Sequence, residues 1–361
     1  MPTPATDGGQ RPLAGELWSH QPGSNKVTPR IGILTYAGDP HGYVVKTKIE
    51  EQHNAWCGLI PCDELTIRGG ITWCSQMDAP CLLPNVHGGT IDVRTLNALW
   101  VRRVSGFQTL PEGIDAAHEL HIRSSMEKAL EGLLVNEFKG RWVSHPVASR
   151  LAENKLLQLR AAQKAGVRIP ATLVSQHPEQ IRSFCAAHPG AIIKPVSTPR
   201  GVEFVSTAVV SQELLENDDS LGLAPTIYQE CVPGGRHLRI SVIGERCDAA
   251  LIESEILDWR TDLTIPFSRY PLGDDLQRRL RVILRELGLA MGVFDLKLID
   301  NDEPVFLEVN PQGQFLFVEA LAEISLADQV AAFLADQAMQ DLSSREGAGL
   351  VARKRDQCRS A

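Results

Sequence analysis

What this chain lacks narrows its chemistry first. No uninterrupted apolar run approaches the roughly 20 residues that span a bilayer, and the Pro-, Gly- and Thr-rich N-terminus has no apolar signal core. The expectation is a cytoplasmic protein with no membrane partner. Basic runs are equally scarce: 36 Lys and Arg stand against 44 Asp and Glu, for a net charge of -8, and the one cluster is Arg353-Lys354-Arg355 near the C-terminus. Nucleic acid is therefore not an expected partner, since its phosphates call for a basic footprint. The eight cysteines contain no Cys-x-x-Cys pair. Neither disulfides nor a zinc knuckle is expected, even where Cys57, Cys62, Cys74 and Cys81 crowd together. No internal repeat is visible, and no Gly-x-Gly-x-x-Gly fingerprint follows the first apolar strand.

What is present suits an α/β protein. With 361 residues, 43% apolar and 22% charged, the chain can build two or three subdomains with cores of their own. Residues 1–29 read as a disordered segment. A small α/β domain follows over 30–143, with strands at 30–36 and 97–103 and helical spacing over 114–135. A second unit over 144–225 holds a helix at 152–159 stopped by Gly166 and Pro170, a helix near 178–187, and a strand at 191–195. The polar loop 197–201 after it is placed to fold over phosphates. From 226 to 341 strands dominate, at 226–232, 237–244 and 248–253, with a turn at Gly244-Glu245. An amphipathic helix carrying Leu276, Leu280, Ile283, Leu284 and Leu287 ends at Gly288, a last helix covers 326–341, and 342–361 reads as a flexible tail.

The most informative stretch runs from Gly292 to Pro311. Two β-rich apolar runs flank Asn301-Asp302, a tight-turn signal. With the turn there, Asp295 falls opposite Glu308, and Asn310 lies two residues on, on the same face. Like charges facing across a ladder are unfavourable unless a cation sits between them, and hard oxygen donors suit Mg²⁺ shared with phosphates. Solvated acids on an outer face are the competing explanation, against which Gly292, Pro311 and Gly313 punctuate both mouths of the hairpin. A nucleotide at this site needs cations and a hinge. Lys155 and Lys194 are the candidate cations, the latter sitting in an apolar strand where an unpaired ammonium is costly. Gln229-Glu230-Cys231-Val232, followed by Pro233-Gly234-Gly235, reads either as a strand ending in a hinge whose backbone could meet an adenine edge or as an edge strand with a turn. Arg239 and Arg260 are candidate catalytic cations, with structural ion pairing as the alternative.

These elements, in this order, resemble the ATP-grasp ligases over about residues 145–335. Leu99 to Arg103, Ala152 to Lys155, Ile169 to Leu173, Asp258-Trp259-Arg260 and Glu308 to Gln314 resemble more specifically the ATP-grasp peptide maturases that make microviridin-type graspetides. The resemblance implies an ATP-grasp fold behind an N-terminal pre-ATP-grasp α/β domain. It also implies ATP and Mg²⁺ as cofactors, a ribosomal precursor peptide with leader and core as partner, and a homodimer. Lys155 and Lys194 would contact the ATP phosphates, Glu230 and Val232 the adenine, and Asp295, Glu308 and Asn310 the metal. Arg239 and Arg260 would stabilise the phosphoryl group in flight. His237 stands where many relatives carry Asp, and its expected contact is the ribose.

The activity implied is phosphorylation of a peptide Asp or Glu side chain, then attack by Ser, Thr or Lys to give an ester or amide crosslink. Two alternatives stand beside it: a ligase joining an amino acid to a small molecule or protein terminus, and a nucleotide-binding scaffold without catalysis. The acidic hairpin over about 238–270 is either a leader-binding surface or a solvated face.

Overall fold

The computed structural model describes residues 27–359 except 77–78, 105–107, 198–206, 258 and 263, with side chains described through residue 346. The expectation for residues 1–26 and most of the proposed phosphate loop lie outside the described residues.

Short, mostly apolar strands build the first sheet. Parallel β1 (Arg30–Thr35) and β2 (Trp56–Pro61) are linked by helix α1 (Pro40–Gln52). A small antiparallel pair, β3 (Leu82–Pro84) and β4 (Thr90–Asp92), precedes β5 (Ala98–Val101), the long helix α2 (Ala116–Glu137) and β6 (Arg141–Val143). The strand order is β2-β1-β5-β6, as expected of buried parallel strands with helices on both faces.

Next come helices α3 (Pro146–Ala152) and α4 (Lys155–Lys164). The sequence suggested one helix over 152–159. The chain breaks instead at Glu153-Asn154, because the Asn154 side chain accepts hydrogen bonds from the Leu156 and Leu157 amides at 3.0 and 3.3 Å and so starts a new helix. Lys155 thereby becomes the first residue of α4. The second sheet is antiparallel, built from β7 (Thr172–Ser175), β8 (Ile192–Pro195), β9 (Ala208–Val209) and β10 (Thr226–Gln229) in the order β7-β10-β8-β9. Helices α5 (Pro178–Ala187), α6 (Gln212–Leu215) and α7 (Asp218–Gly222) pack beside it.

The third sheet, in the order β13-β12-β11-β14-β15, positions the site. Its strands are β11 (Arg236–Ile243), β12 (Arg246–Glu253), β13 (Phe267–Tyr270), β14 (Met291–Leu298) and β15 (Pro304–Asn310). Helix α8 (Asp274–Glu286) precedes β14, and α9 (Leu316–Ala322) and α10 (Leu326–Arg359) follow β15. Helix α10 thus runs well beyond 341, where the sequence placed a tail.

Period-two alternation gives this sheet two different faces. Leu238, Ile240 and Val242 of β11, Phe294, Leu296 and Leu298 of β14, and Phe306 and Val309 of β15 share one core with Leu159 of α4 and Leu280, Ile283 and Leu284 of α8. The residues between them face the other way. Another core joins the first sheet to α9 and α10 through Ile31, Ile33, Trp100, Leu326, Val330 and Leu334.

The β14–β15 turn is longer than the sequence implied. A 3-10 turn at Asp300–Asp302, with Asn301 and Asp302 both at φ 59°, connects Leu298 to its partner Pro304. On its own that connection would offset the ladder by one residue. The register shifts back between Asp295 and Leu296, where Leu307 is the extra residue of a β-bulge, so Asp295 still faces Glu308.

Candidate active site

The polar face of the third sheet carries one cross-strand row, Arg239 on β11, Asp295 on β14 and Glu308 on β15, with His237 opposite Lys297 in the row two residues away. His237, Asp295, Lys297 and Glu308 look into a cavity of about 150 Å³ whose far wall comes from the second sheet. Lys155, Lys194, Glu230, Val232, His237, Arg260, Asp295 and Glu308 all line it, together with Ile192, Leu257, Trp259 and Leu307. The bulge explains why consecutive Leu307 and Glu308 both face the cavity. Arg239 and Asn310 are not on its lining.

Charge is arranged in alternation. Arg239, 5% exposed, places Nη1 2.8 and 2.9 Å from the two oxygens of Asp295, and its Nη2 donates to the Gln314 carbonyl at 3.1 Å. It thus supports Asp295 from below, and the rings of Trp259 and Phe317 lie 5.9 and 5.5 Å from its guanidinium carbon. Glu308 stands between two cations, 3.9 Å from Lys155 Nζ and 3.9 Å from Arg260 Nη1. Burial raises the Asp295 carboxyl above the usual range and neighbouring Glu308 adds to this, while Arg239 opposes it. Burial also pushes Lys194 down to about 8, reinforced by repulsion from Lys155 and opposed by Glu308. Two lysines and two carboxylates therefore share one desolvated site, the setting in which added phosphates and a divalent cation relieve both repulsions.

The donor set fits a shared metal better than a protein-only one. Among the described residues no three His, Cys, Asp or Glu side chains converge as a cage. Asp295 and Glu308 supply two carboxylates, and Asn310 supplies an amide oxygen that already accepts from the Gln312 amide at 3.0 Å. A carbonyl oxygen has a second lone pair, so this bond does not disqualify it. Mg²⁺ usually takes only one or two carboxylates and completes its shell with phosphates and water, which these residues match.

At the hinge, the Glu230 carboxylate accepts from the Ala171 amide at 3.0 Å, and Arg168 stands 4.0 Å away. The Glu230 amide in turn donates to the Ala171 carbonyl at 2.9 Å, so both the side chain and the N–H of Glu230 are already engaged. His237 is buried, with Nε2 3.2 Å from the Ser254 carbonyl.

Lys297 was missed. It is 9% exposed, donates to the Val232 carbonyl at 2.8 Å, lines the cavity, and is held below the usual lysine range by burial. Its signal was available, since it lies two residues after Asp295 and so shares its face. Gln229, which opens the hinge segment read from the sequence but had no side-chain role there, also lines the cavity, 1% exposed and donating to Thr172 Oγ1 at 2.8 Å.

No protein-family model matches the chain. It is 25% identical over 216 residues to a probable alpha-L-glutamate ligase of Thioalkalivibrio sulfidiphilus, covering 57% of this chain and 71% of that one. Among solved structures it resembles the macrocyclase MdnC of Microcystis aeruginosa bound with precursor peptide MdnA (TM-score 0.77, 24% identity, 85% of this chain and 99% of that one). It also resembles MdnB, a macrocyclase of the same organism (0.72, 26%, 85% and 99%). A third is a Chryseobacterium gregarium RiPP-associated ATP-grasp ligase in complex with ADP and a leader and core peptide (0.76, 24%, 86% and 97%). The fold of this chain is the ATP-grasp fold.

Proposed function

We propose that this ATP-grasp chain is an ADP-forming ligase that activates Asp or Glu side chains of a ribosomal precursor peptide and closes ester or amide crosslinks with Ser, Thr or Lys. The observation that carries the reading is the pair Asp295 and Glu308, backed by Arg239, sharing one cleft with Lys155, Lys194 and Arg260. Likeness to a macrocyclase bound with its precursor peptide and to a ligase bound with a leader and core peptide supports the substrate class, and the ADP in the second of these complexes supports the nucleotide.

Roles follow from position. The backbone at Glu230 and Val232 holds the adenine, and His237 flanks the ribose. Lys155 and Lys194 neutralise phosphate charge, Arg239 fixes Asp295, and Asp295, Glu308 and Asn310 hold the divalent cation. Bound there, Mg²⁺ would supply charge neutralisation on the transferring phosphate. A peptide carboxylate oxygen attacks the terminal phosphorus of ATP and ADP leaves. The hydroxyl or amine then attacks the acyl carbon of the mixed anhydride, loses its proton, and expels inorganic phosphate. Arg260, which lines the cavity 3.9 Å from Glu308 and is 42% exposed, stabilises the anion that develops in either step.

The glutamate-ligase relative favours a second reading, in which a free amino acid is the acceptor. The deciding experiment is ADP release with a candidate precursor peptide or with glutamate, followed by intact peptide mass, for wild type and Glu308→Ala. Peptide-dependent turnover with loss of water, absent from the variant, establishes crosslinking. Glutamate-dependent turnover without change in peptide mass selects the second reading, and nucleotide binding without turnover selects a scaffold. Among the described residues no helix is long and apolar enough to cross a membrane. A cytoplasmic site of action belongs to this proposal, as does a homodimer, which light scattering tests.

A further inference from the structure

β15 is the last strand of its sheet, and its outer side is met at one end by an isolated bridge between Val305 and Arg168, with the Phe306 amide donating to the Arg168 carbonyl at 2.8 Å. Two of its outer groups belong to Val309, the residue between Glu308 and Asn310. Its amide donates to Gln158 Oε1 at 3.0 Å, and its carbonyl accepts from Gln158 Nε2 at 2.8 Å. The Gln158 amide therefore acts as a one-residue strand, offering donor and acceptor with the spacing of a peptide group. It is 4% exposed, and its Nε2 also donates to the Ala152 carbonyl, at the end of α3, at 2.7 Å.

Gln158 lies three residues after Lys155, one turn further along the same face of α4. That helix thus meets β15 on adjacent residues: Lys155 reaches Glu308 and Gln158 grips Val309. A strand side chain points where its backbone is held. Holding Val309 at both polar atoms fixes the separation and aim of the two oxygen donors on either side of it.

We propose that Gln158 is a positioning residue, setting Glu308 and Asn310 for the divalent cation at the nucleotide phosphates. This rests on the nucleotide reading above and extends it to a residue outside the cavity. Gln158→Met keeps length and approximate volume while removing the two bonds to Val309 and the one to Ala152. Gln158→Glu keeps the acceptor and sets its second oxygen against the two carbonyls.

The test is calorimetric titration of wild type and both variants with ADP over a series of Mg²⁺ concentrations, with thermal unfolding recorded in parallel. Expected is a roughly tenfold or larger rise in the Mg²⁺ concentration for half-maximal ADP binding, as for other residues that orient metal ligands. Tight ADP binding should return at saturating Mg²⁺. An unchanged Mg²⁺ midpoint in whichever variant folds, even with a lowered melting temperature, reduces Gln158 to a structural role and overturns the inference. Failure of wild type to bind ADP with Mg²⁺ overturns the nucleotide reading itself and this inference with it, a result distinct from normal wild-type binding with an unmoved variant.

Discussion

A lysine buried beside another lysine is a poor ammonium until an anion arrives, which makes Lys194 the residue whose ionisation the reaction should report. Its pKa is pushed down to about 8 by burial, with Lys155 adding to the effect. The sign follows directly: the ammonium is complete below that value and lost as pH rises through it. Because kcat/KM for ATP reports the free enzyme, it should fall above pH 8 by about tenfold per pH unit. Lys194→Arg, whose guanidinium stays charged, should abolish the inflection whatever it costs in absolute rate. A wild-type profile that stays flat from pH 7 to 9.5 removes Lys194 from phosphate binding. Arg239 illustrates a different lesson at this scale. Sequence marked it as a catalytic cation because it interrupts an apolar strand, and the same signal is produced by a buried guanidinium holding a carboxylate, which is where its Nη1 stands.

Among the elements, the β14–β15 hairpin keeps its two faces in place through its bulge. Phe306 faces the core, Leu307 and Glu308 both face the cavity, and Val309 returns to the core, so Leu307 is the residue that interrupts the alternation. Deleting Leu307 should therefore restore the plain period of two, with Glu308 still opposite Asp295 and Val309 still in the core. The expected outcome is Mg²⁺-dependent ADP binding that stays within about tenfold of wild type, read by calorimetry. A larger loss would mean that the bulge itself aims Glu308. The same hairpin shows how much was legible. The facing of Asp295 and Glu308 was read from two apolar runs about a turn signal, and it holds although the turn is longer, because the bulge compensates. The alternation also contained Lys297, two residues from Asp295. Gln158 was not legible, since a helical glutamine reads as a surface residue and only the arrival of an edge strand makes it structural. The break at Asn154 was missed for a related reason: an Asn inside an apolar helical pattern becomes a cap only when the chain reverses ahead of it.

Across the whole molecule, the two ends of the chain hold each other. Arg102, fully buried with its pKa lowered to about 10 by burial, sits against Trp100 and Asp39 and donates from Nη1 to the Gln312 carbonyl. His41 Nε2 accepts from the Phe315 and Leu316 amides at 3.1 and 3.3 Å, leaving its Nδ1–H for Asp39 at 3.2 Å. The first sheet thus grips the loop that follows β15, and α10 covers that sheet. Leu326, Val330 and Leu334 are at most 1% exposed in the shared core. At about 1.5–3 kcal/mol for each buried aliphatic side chain, these three alone are comparable to the whole stability of an ordinary domain. Ending the chain after Ser325 should therefore yield insoluble protein or a melting temperature more than about 10 °C lower. Ending it after Gly347 should leave melting within about 2 °C, since it keeps the buried Asp341, whose Oδ2 accepts from Asn97 at 2.9 Å. If the shorter chain melts like the longer one, α10 is an accessory to the first sheet and the grip of Arg102 and His41 alone joins the two ends.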